Sequence, residues 1–278
     1  MKKQLRIFIP IILGLFFIYL TFRLTTQDER NLIWNYINSA KIEYVLSAMI
    51  LGASADIIRG LRWQFLSEAI GYKSSSINSI ASVFMCYSSN MTIPRSGEIL
   101  RATVLSEYNK IPISKTFGTI GAERIVDISI SFLMLILIWT FQYKIILESF
   151  FEEDFLFFLD KNIGAIIIVT IISICALITI VLKTKKLRNF FKGILEGVLS
   201  LTKLKDKLFY FILYSALIWF CYILAFFVIK FSVPELGIID NSLLFPAFII
   251  GVYSISLSNH GLGVYPLAIS LFLVNFEI

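Results

Sequence analysis

The chain has 278 residues, 58% of them hydrophobic and 16% charged, where a soluble domain is about half apolar and about a quarter charged. That composition excludes an ordinary soluble protein and points to an all-α, polytopic membrane protein. The net charge of +6 does not indicate nucleic-acid binding, because basic residues in a membrane chain mainly set topology.

In chain order, an apolar stretch at 7–24 follows "MKKQLR" with no A-x-A-like cleavage site, and it reads as a retained anchor. Further stretches long enough for the ~30 Å hydrocarbon core lie at 43–60, 118–140, 163–182 and 209–230. Two others are interrupted. "SINSIASVFMCYSSNMTIP" (76–94) ends at Pro94, and 242–274 is broken at Asn259, His260, Gly261 and Gly263. Broken backbone cannot face lipid, so both stretches are expected as re-entrant helical hairpins buried in protein or lining a wet cavity.

Basic residues orient the spans. With a cytoplasmic N-terminus, 18 of the 25 Lys and Arg fall on inside segments, provided that 76–94 dips in and returns. The stretch 242–274 then dips from the other side. The chain thus reads as one membrane domain, 1–278: a first half 1–182, a linker 183–207 and a second half 208–278. The halves are expected to be inverted copies, the second lacking its closing helix, a pattern that points to a transporter's binding site. The linker, "KTKKLRNFFKGILEGVLSLTKLKDK", has apolar residues three and four apart between lysines. It is expected as a basic amphipathic helix on the inner leaflet or as a plain connector.

The charges inside apolar sequence fall into three groups. In "IPRSGEILRATVL" (93–105), Pro94, Arg95 and Gly97 break the hairpin, Ser96 is the expected N-cap, and Glu98 and Arg101 share a face and are expected to pair. "GAERIVDISI" places Glu123, Arg124 and Asp127 at the head of a span, where a charge costs at least ~2.5–3.5 kcal/mol and unpaired lipid-facing placement is disfavoured. "ASADIIRGLRW" adds Asp56, Arg59 and Arg62, of which the two arginines are expected to snorkel to the interface. Two readings of the first two groups stay open and are compatible. They form a polar pocket in which arginine holds a lipid phosphate, or an ion network pinning the hairpin to its neighbouring span.

His260 reads either as a hydrogen-bonded turn residue or as a proton relay. Cys86, Cys175 and Cys221 lie in apolar runs without paired spacing and are expected to pack as small hydrophobes. Asn90-Met91-Thr92 matches a glycosylation sequon by chance, given its place in the hairpin. Enzyme signatures are absent from the sequence, so no catalytic residue, metal or cofactor is expected.

"IPRSGEILRATVL" followed by "ISKTFGTIGAERIVDISI" resembles the signature of the lysylphosphatidylglycerol synthase transmembrane-region (flippase-like, UPF0104) family, matching at Pro94, Gly97, Glu98, Arg101, Ser114, Glu123, Arg124 and Asp127. Arg62-Trp63 and "HGLGVYP" (260–266) also resemble family positions. The resemblance implies a multispan protein of the cell (inner) membrane. Its relatives translocate aminoacylated phospholipid in bacteria or sit beside polyprenyl-phosphate glycosylation in archaea. Membrane lipids, an anionic phospholipid or a polyprenyl phosphate, are therefore the expected partners; association with further copies of the chain is left open.

Three departures from the family pattern stand out. The synthases' soluble aminoacyltransferase domain has no counterpart. The late motif Pro-Gly-Gly-x-Gly-x-Arg-Glu is altered at Asn259, His260, Tyr265 and Pro266. The expected further helix is missing, as in a truncated reading frame. The function expected is binding and translocation of a phospholipid or polyprenyl-phosphate-linked lipid through a polar intramembrane cavity. The alternatives are a non-transporting scaffold for envelope biogenesis and, less favoured for want of a metal-binding acid cluster, a membrane-embedded lipid transferase.

Overall fold

The computed structural model describes residues 25–92, 96–150, 201–257 and 263–274, with Tyr19, Phe22, Arg23 and Phe276. Most of the expected anchor 7–24, the span 163–182, most of the linker 183–207, and Pro94, Arg95, Asn259, His260 and Gly261 lie outside these residues.

Among the described residues there are eight α-helices and no strand: α1 Gln27–Ser39, α2 Ile42–Ala69, α3 Ser76–Thr92, α4 Gly97–Asn109, α5 Ile113–Phe150, α6 Leu208–Ile229, α7 Asn241–Leu257 and α8 Val264–Val274. Three of the described segments are long and apolar enough to cross a membrane: Ile42–Ala69, Ile113–Gln142 and Leu208–Ser232. They contain the expected stretches 43–60, 118–140 and 209–230. The first runs nine residues beyond its expected end because Arg59 and Arg62, which cut the apolar run in sequence, are buried and neutralised inside the protein.

Pairwise contacts set the directions. Backbone N–H of Lys41 donates to the Ser232 carbonyl at 2.8 Å, Tyr222 meets Asp56, Arg62 meets Ser215, and Lys207 pairs with Glu68. Rising numbers on α2 thus meet falling numbers on α6, so these two helices are antiparallel. Trp63 and Arg59 of α2 meet Thr119 and Asp127 of α5, which makes that pair antiparallel as well. The end carrying Ala69, Asn109 and Leu208 is the near face, and the end carrying Ile42, Gln142 and Ser232 is the far face.

Both interrupted stretches form helical hairpins. α3 starts on the near face, and α4 comes back to it, where the Asn109 Oδ1 accepts from the Ser75 backbone N–H at 3.2 Å and from the Asn78 amide at 3.3 Å. The tip of this hairpin reaches Arg124, eleven residues and about 16 Å along α5. It stops partway through the span, as a re-entrant element does. α7 starts on the far face, where the amide of Gln142, at a kink ending the regular part of α5, donates to the Ser242 carbonyl at 3.1 Å. α8 returns there, and its buried Phe272 packs on Ile239, Leu243 and Leu244.

Close approach at glycine builds both junctions of the first hairpin. A Cβ on Gly60 would lie 2.6 Å from the Cα of Ile80, so α2 and α3 touch backbone to backbone. A Cβ on Gly97 would lie 2.1 Å from the Cys86 carbonyl oxygen. The near-face core then fills with Trp63, Leu66, Ala102, Leu105, Ile120 and Phe211.

α1 buries none of its residues and is closed by a capping box: Thr26 Oγ1 accepts from the Glu29 N–H, while the Glu29 carboxylate accepts from the Thr26 N–H at 2.6 Å. Those bonds hold the Glu29 pKa below its ordinary 4.5, the backbone donor contributing most. The cap's contribution is therefore complete above pH about 4.5 and is lost as pH falls through the lowered value. A carbon-detected NMR titration is expected to place the Glu29 midpoint below that of a free glutamate and Thr26→Ala, which keeps the backbone donor, to bring it only part of the way back; an unshifted wild-type midpoint would contradict the box.

Candidate functional site

α2, α4 and α5 each bring charged side chains to one level of the molecule, and tertiary contact selects the partners. Asp127 sits between two arginines of α2: it pairs with Arg59, and Arg62 Nη1 lies 2.9 Å from its Oδ1. The same Arg62 nitrogen donates to Ser215 Oγ of α6 at 2.8 Å, while its Nε faces Glu123 Oε1 at 3.6 Å. Glu123 also pairs with Arg101 of the hairpin, Nη1 to Oε2, at 2.7 Å. Arg62 and Arg101 are 0% and 2% exposed, so neither guanidinium reaches water on its own.

These contacts correct three expectations. Arg59 and Arg62 do not snorkel; carboxylates supplied by α5 neutralise them in the interior, where an aliphatic stem reaching for the surface has nothing to gain. Glu98 and Arg101, three residues apart, do not pair. Glu98 faces Arg124, whose Nε lies 2.7 Å from Oε1, because the hairpin turns those two side chains toward different residues of α5. Ser96 occupies the N-cap position of α4 without capping it: its hydroxyl donates to the Ser89 carbonyl at 3.1 Å. The cap comes from Asn90, whose Oδ1 accepts from the Gly97 N–H at 2.7 Å, which gives the apparent sequon asparagine a buried structural role.

A cavity of about 970 Å³ opens beside this network, at the upper end of the range for small-molecule sites. Its wall takes Tyr87, Asn90 and Glu98 from the near-face hairpin and Val252, Ser256 and Tyr265 from the far-face hairpin. The two hairpins therefore enter from opposite faces and meet at one space. The spans contribute Asp56, Arg59, Arg124 and Asp127, together with Trp219 and Tyr222 of α6.

The charged residues thus divide into two sets. Arg62, Arg101 and Glu123 lie behind the wall and tie α2, α4 and α5 together. Arg59, Arg124, Glu98 and Asp127 present themselves to the cavity, with Arg124 and Glu98 more than a third exposed at their side chains. Gly97 is buried against α3, and Gly263 holds a positive φ of 74° just before α8. The sequence grouped Asp56 with Arg59 and Arg62 but gave no sign of its partner in the cavity wall, Tyr222, whose hydroxyl donates to the Asp56 carboxylate at 2.8 Å. Asp56 was visible as a carboxylate in mid-span; nothing in the sequence ties it to a tyrosine 166 residues away.

The model of the lysylphosphatidylglycerol synthase TM region family matches residues 7–278. The UPF0104 membrane protein MJ1595 of Methanocaldococcus jannaschii is 34% identical over 91 residues, 32% of this chain and 27% of that protein. The match thus spans about a quarter of that relative's length. No solved structure matches the chain.

Proposed function

The chain belongs to the lysylphosphatidylglycerol synthase transmembrane-region family, and from that premise we propose that it binds a phosphate-bearing lipid headgroup in the central cavity and carries it across the membrane. The observation that carries this reading is that helices of two opposed hairpins line one polar space partway through the spans. A headgroup in hydrocarbon needs charged and hydrogen-bonding partners, and the cavity offers guanidiniums suited to phosphate. The acyl chains stay in lipid beside the apolar outer surfaces of the spans. In this reading the chain is a multi-pass protein of the cell membrane, its near face and N-terminus are cytoplasmic, and its role is non-covalent.

Arg124 is the residue assigned to the phosphate. Its half-exposed pair with Glu98 is the weakest of the ion pairs facing the cavity, and opening it leaves the buried network intact. Arg124→Gln is therefore expected to fold normally and to lower translocation about tenfold, the loss of one charge-assisted contact of ~1.5 kcal/mol. Proteoliposomes holding acyl-labelled phospholipids or a labelled polyprenyl phosphate, read by dithionite quenching, measure this. If the wild-type protein moves every lipid at the rate of empty vesicles, transport is ruled out. The scaffold reading would then stand, since the buried network alone serves it.

A further inference from the structure

Taking the cavity as a lipid-headgroup site, an assumption inherited from the proposed function, we propose that Asp56 forms an ammonium-receiving subsite and that the headgroup admitted is zwitterionic. Three observations lead there. First, Asp56 lines the cavity from mid-span and takes part in no ion pair among the described residues. Arg59, one turn away, is engaged by Asp127 instead. The Tyr222 hydroxyl donates to Oδ1, a neutral contact that orients the carboxylate without acting as an ion-pair partner.

Second, aromatic rings line the same cavity. Trp219, Tyr222 and Phe226 follow one face of α6 at spacings of three and four, and Phe248 of α7 packs edge-on to Trp219 at 6.4 Å between centroids and to Phe226 at 5.7 Å. A carboxylate in an aromatic-lined cavity is the chemistry that receives an ammonium group, by charge at one point and by ring quadrupoles along the wall.

Third, the charges balance. Among the described residues the network and wall together hold Asp56, Glu98, Glu123 and Asp127 against Arg59, Arg62, Arg101 and Arg124. A headgroup of zero net charge enters this set without leaving a surplus charge in the membrane; its phosphate goes to Arg124 and its amine to Asp56. A purely anionic headgroup would place its phosphate on Arg124 just as well but bring no cation to Asp56, leaving the set with a surplus negative charge.

Native mass spectrometry of the purified full chain reads the subsite, with dioleoyl phosphatidylethanolamine, its N-acetylated form and phosphatidylglycerol as probes. The free amine is expected to bind about tenfold more tightly than either of the others, the worth of one charge-assisted hydrogen bond. Asp56→Asn is expected to erase that preference, and Asp56→Glu to keep it. Equal wild-type binding of the free and acetylated amine overturns the proposal, whatever the variants do; so does a preference that survives Asp56→Asn. A protein that shows the amine preference yet moves no lipid in vesicles refutes transport and leaves the subsite standing.

Discussion

Arg62→Ala is expected to deprive the protein of most of its folded population. Arg62 is wholly buried and, among the described residues, is the one that touches both Asp127 and Glu123 as well as Ser215 of α6. Alanine leaves two carboxylates sharing Arg59 and Arg101, with a cavity where the guanidinium lay. Removing one partner of a buried ion pair costs about 3–5 kcal/mol, a large part of a typical 5–15 kcal/mol stability. Arg62→Lys keeps the charge but loses the planar group that donates to Asp127 and Ser215 while facing Glu123, so an intermediate loss is expected. Thermal melting and size-exclusion profiles in detergent measure both. A wild-type melting temperature for Arg62→Ala would show that the network does not hold α2, α5 and α6 together. The contrast with Arg124→Gln, whose pair is half exposed, separates fold-holding charges from cavity-facing ones.

Gly97→Ala is expected to destabilise the protein by roughly 1–3 kcal/mol, the range for forcing extra volume into a packed contact, and to displace the tip of the first hairpin. The added methyl would lie 2.1 Å from a backbone carbonyl oxygen of α3 and 2.6 Å from the Asn90 amide. The first neighbour is main chain and cannot swing aside; the second is the group that caps α4, so its displacement also frees the Gly97 N–H. Gly121, in α5, is the control: nothing lies within 4 Å of its would-be Cβ. Gly121→Ala is expected to be neutral or to gain up to about 1 kcal/mol from helix propensity. Parallel melting curves check the pair. Equal effects at the two positions would show that α3 and α4 do not meet as closely as described.

The spans at 43–60, 118–140 and 209–230 were legible in the sequence because a bilayer imposes one length and one composition on whatever crosses it. The two hairpins were legible for a related reason: Pro94 and the glycines near 261 break helices where lipid forbids broken backbone. The grouping of Glu98, Arg101, Glu123, Arg124 and Asp127 was legible too, since isolated charges in apolar sequence must find one another. The choice of partners was not. Helical spacing suggested Glu98 with Arg101, but a hairpin packed on a third helix offers nearer carboxylates and guanidiniums than the next turn does. Arg59 and Arg62 look alike whether they reach for the interface or for the interior. The deciding partners lie 65 and 68 residues further along. Asp56 went unassigned for the same reason: its neighbours belong to α6, in the other half of the chain.

That separation has a consequence for how the protein is made. During synthesis α2 leaves the ribosome with Arg59 and Arg62 more than sixty residues ahead of Asp127, the acid that neutralises them. A nascent α2 that entered the bilayer at once would carry two cations into hydrocarbon with only Asp56, one turn from Arg59, to set against them. A charge at the helix centre costs about 2.5–3.5 kcal/mol on insertion scales. Its final position in the bilayer is favourable only after the first hairpin has been laid down and α5 has arrived. The central ion network thus joins an early segment to a later one, and α2 gains its full set of partners only once α5 has supplied Asp127 and Glu123.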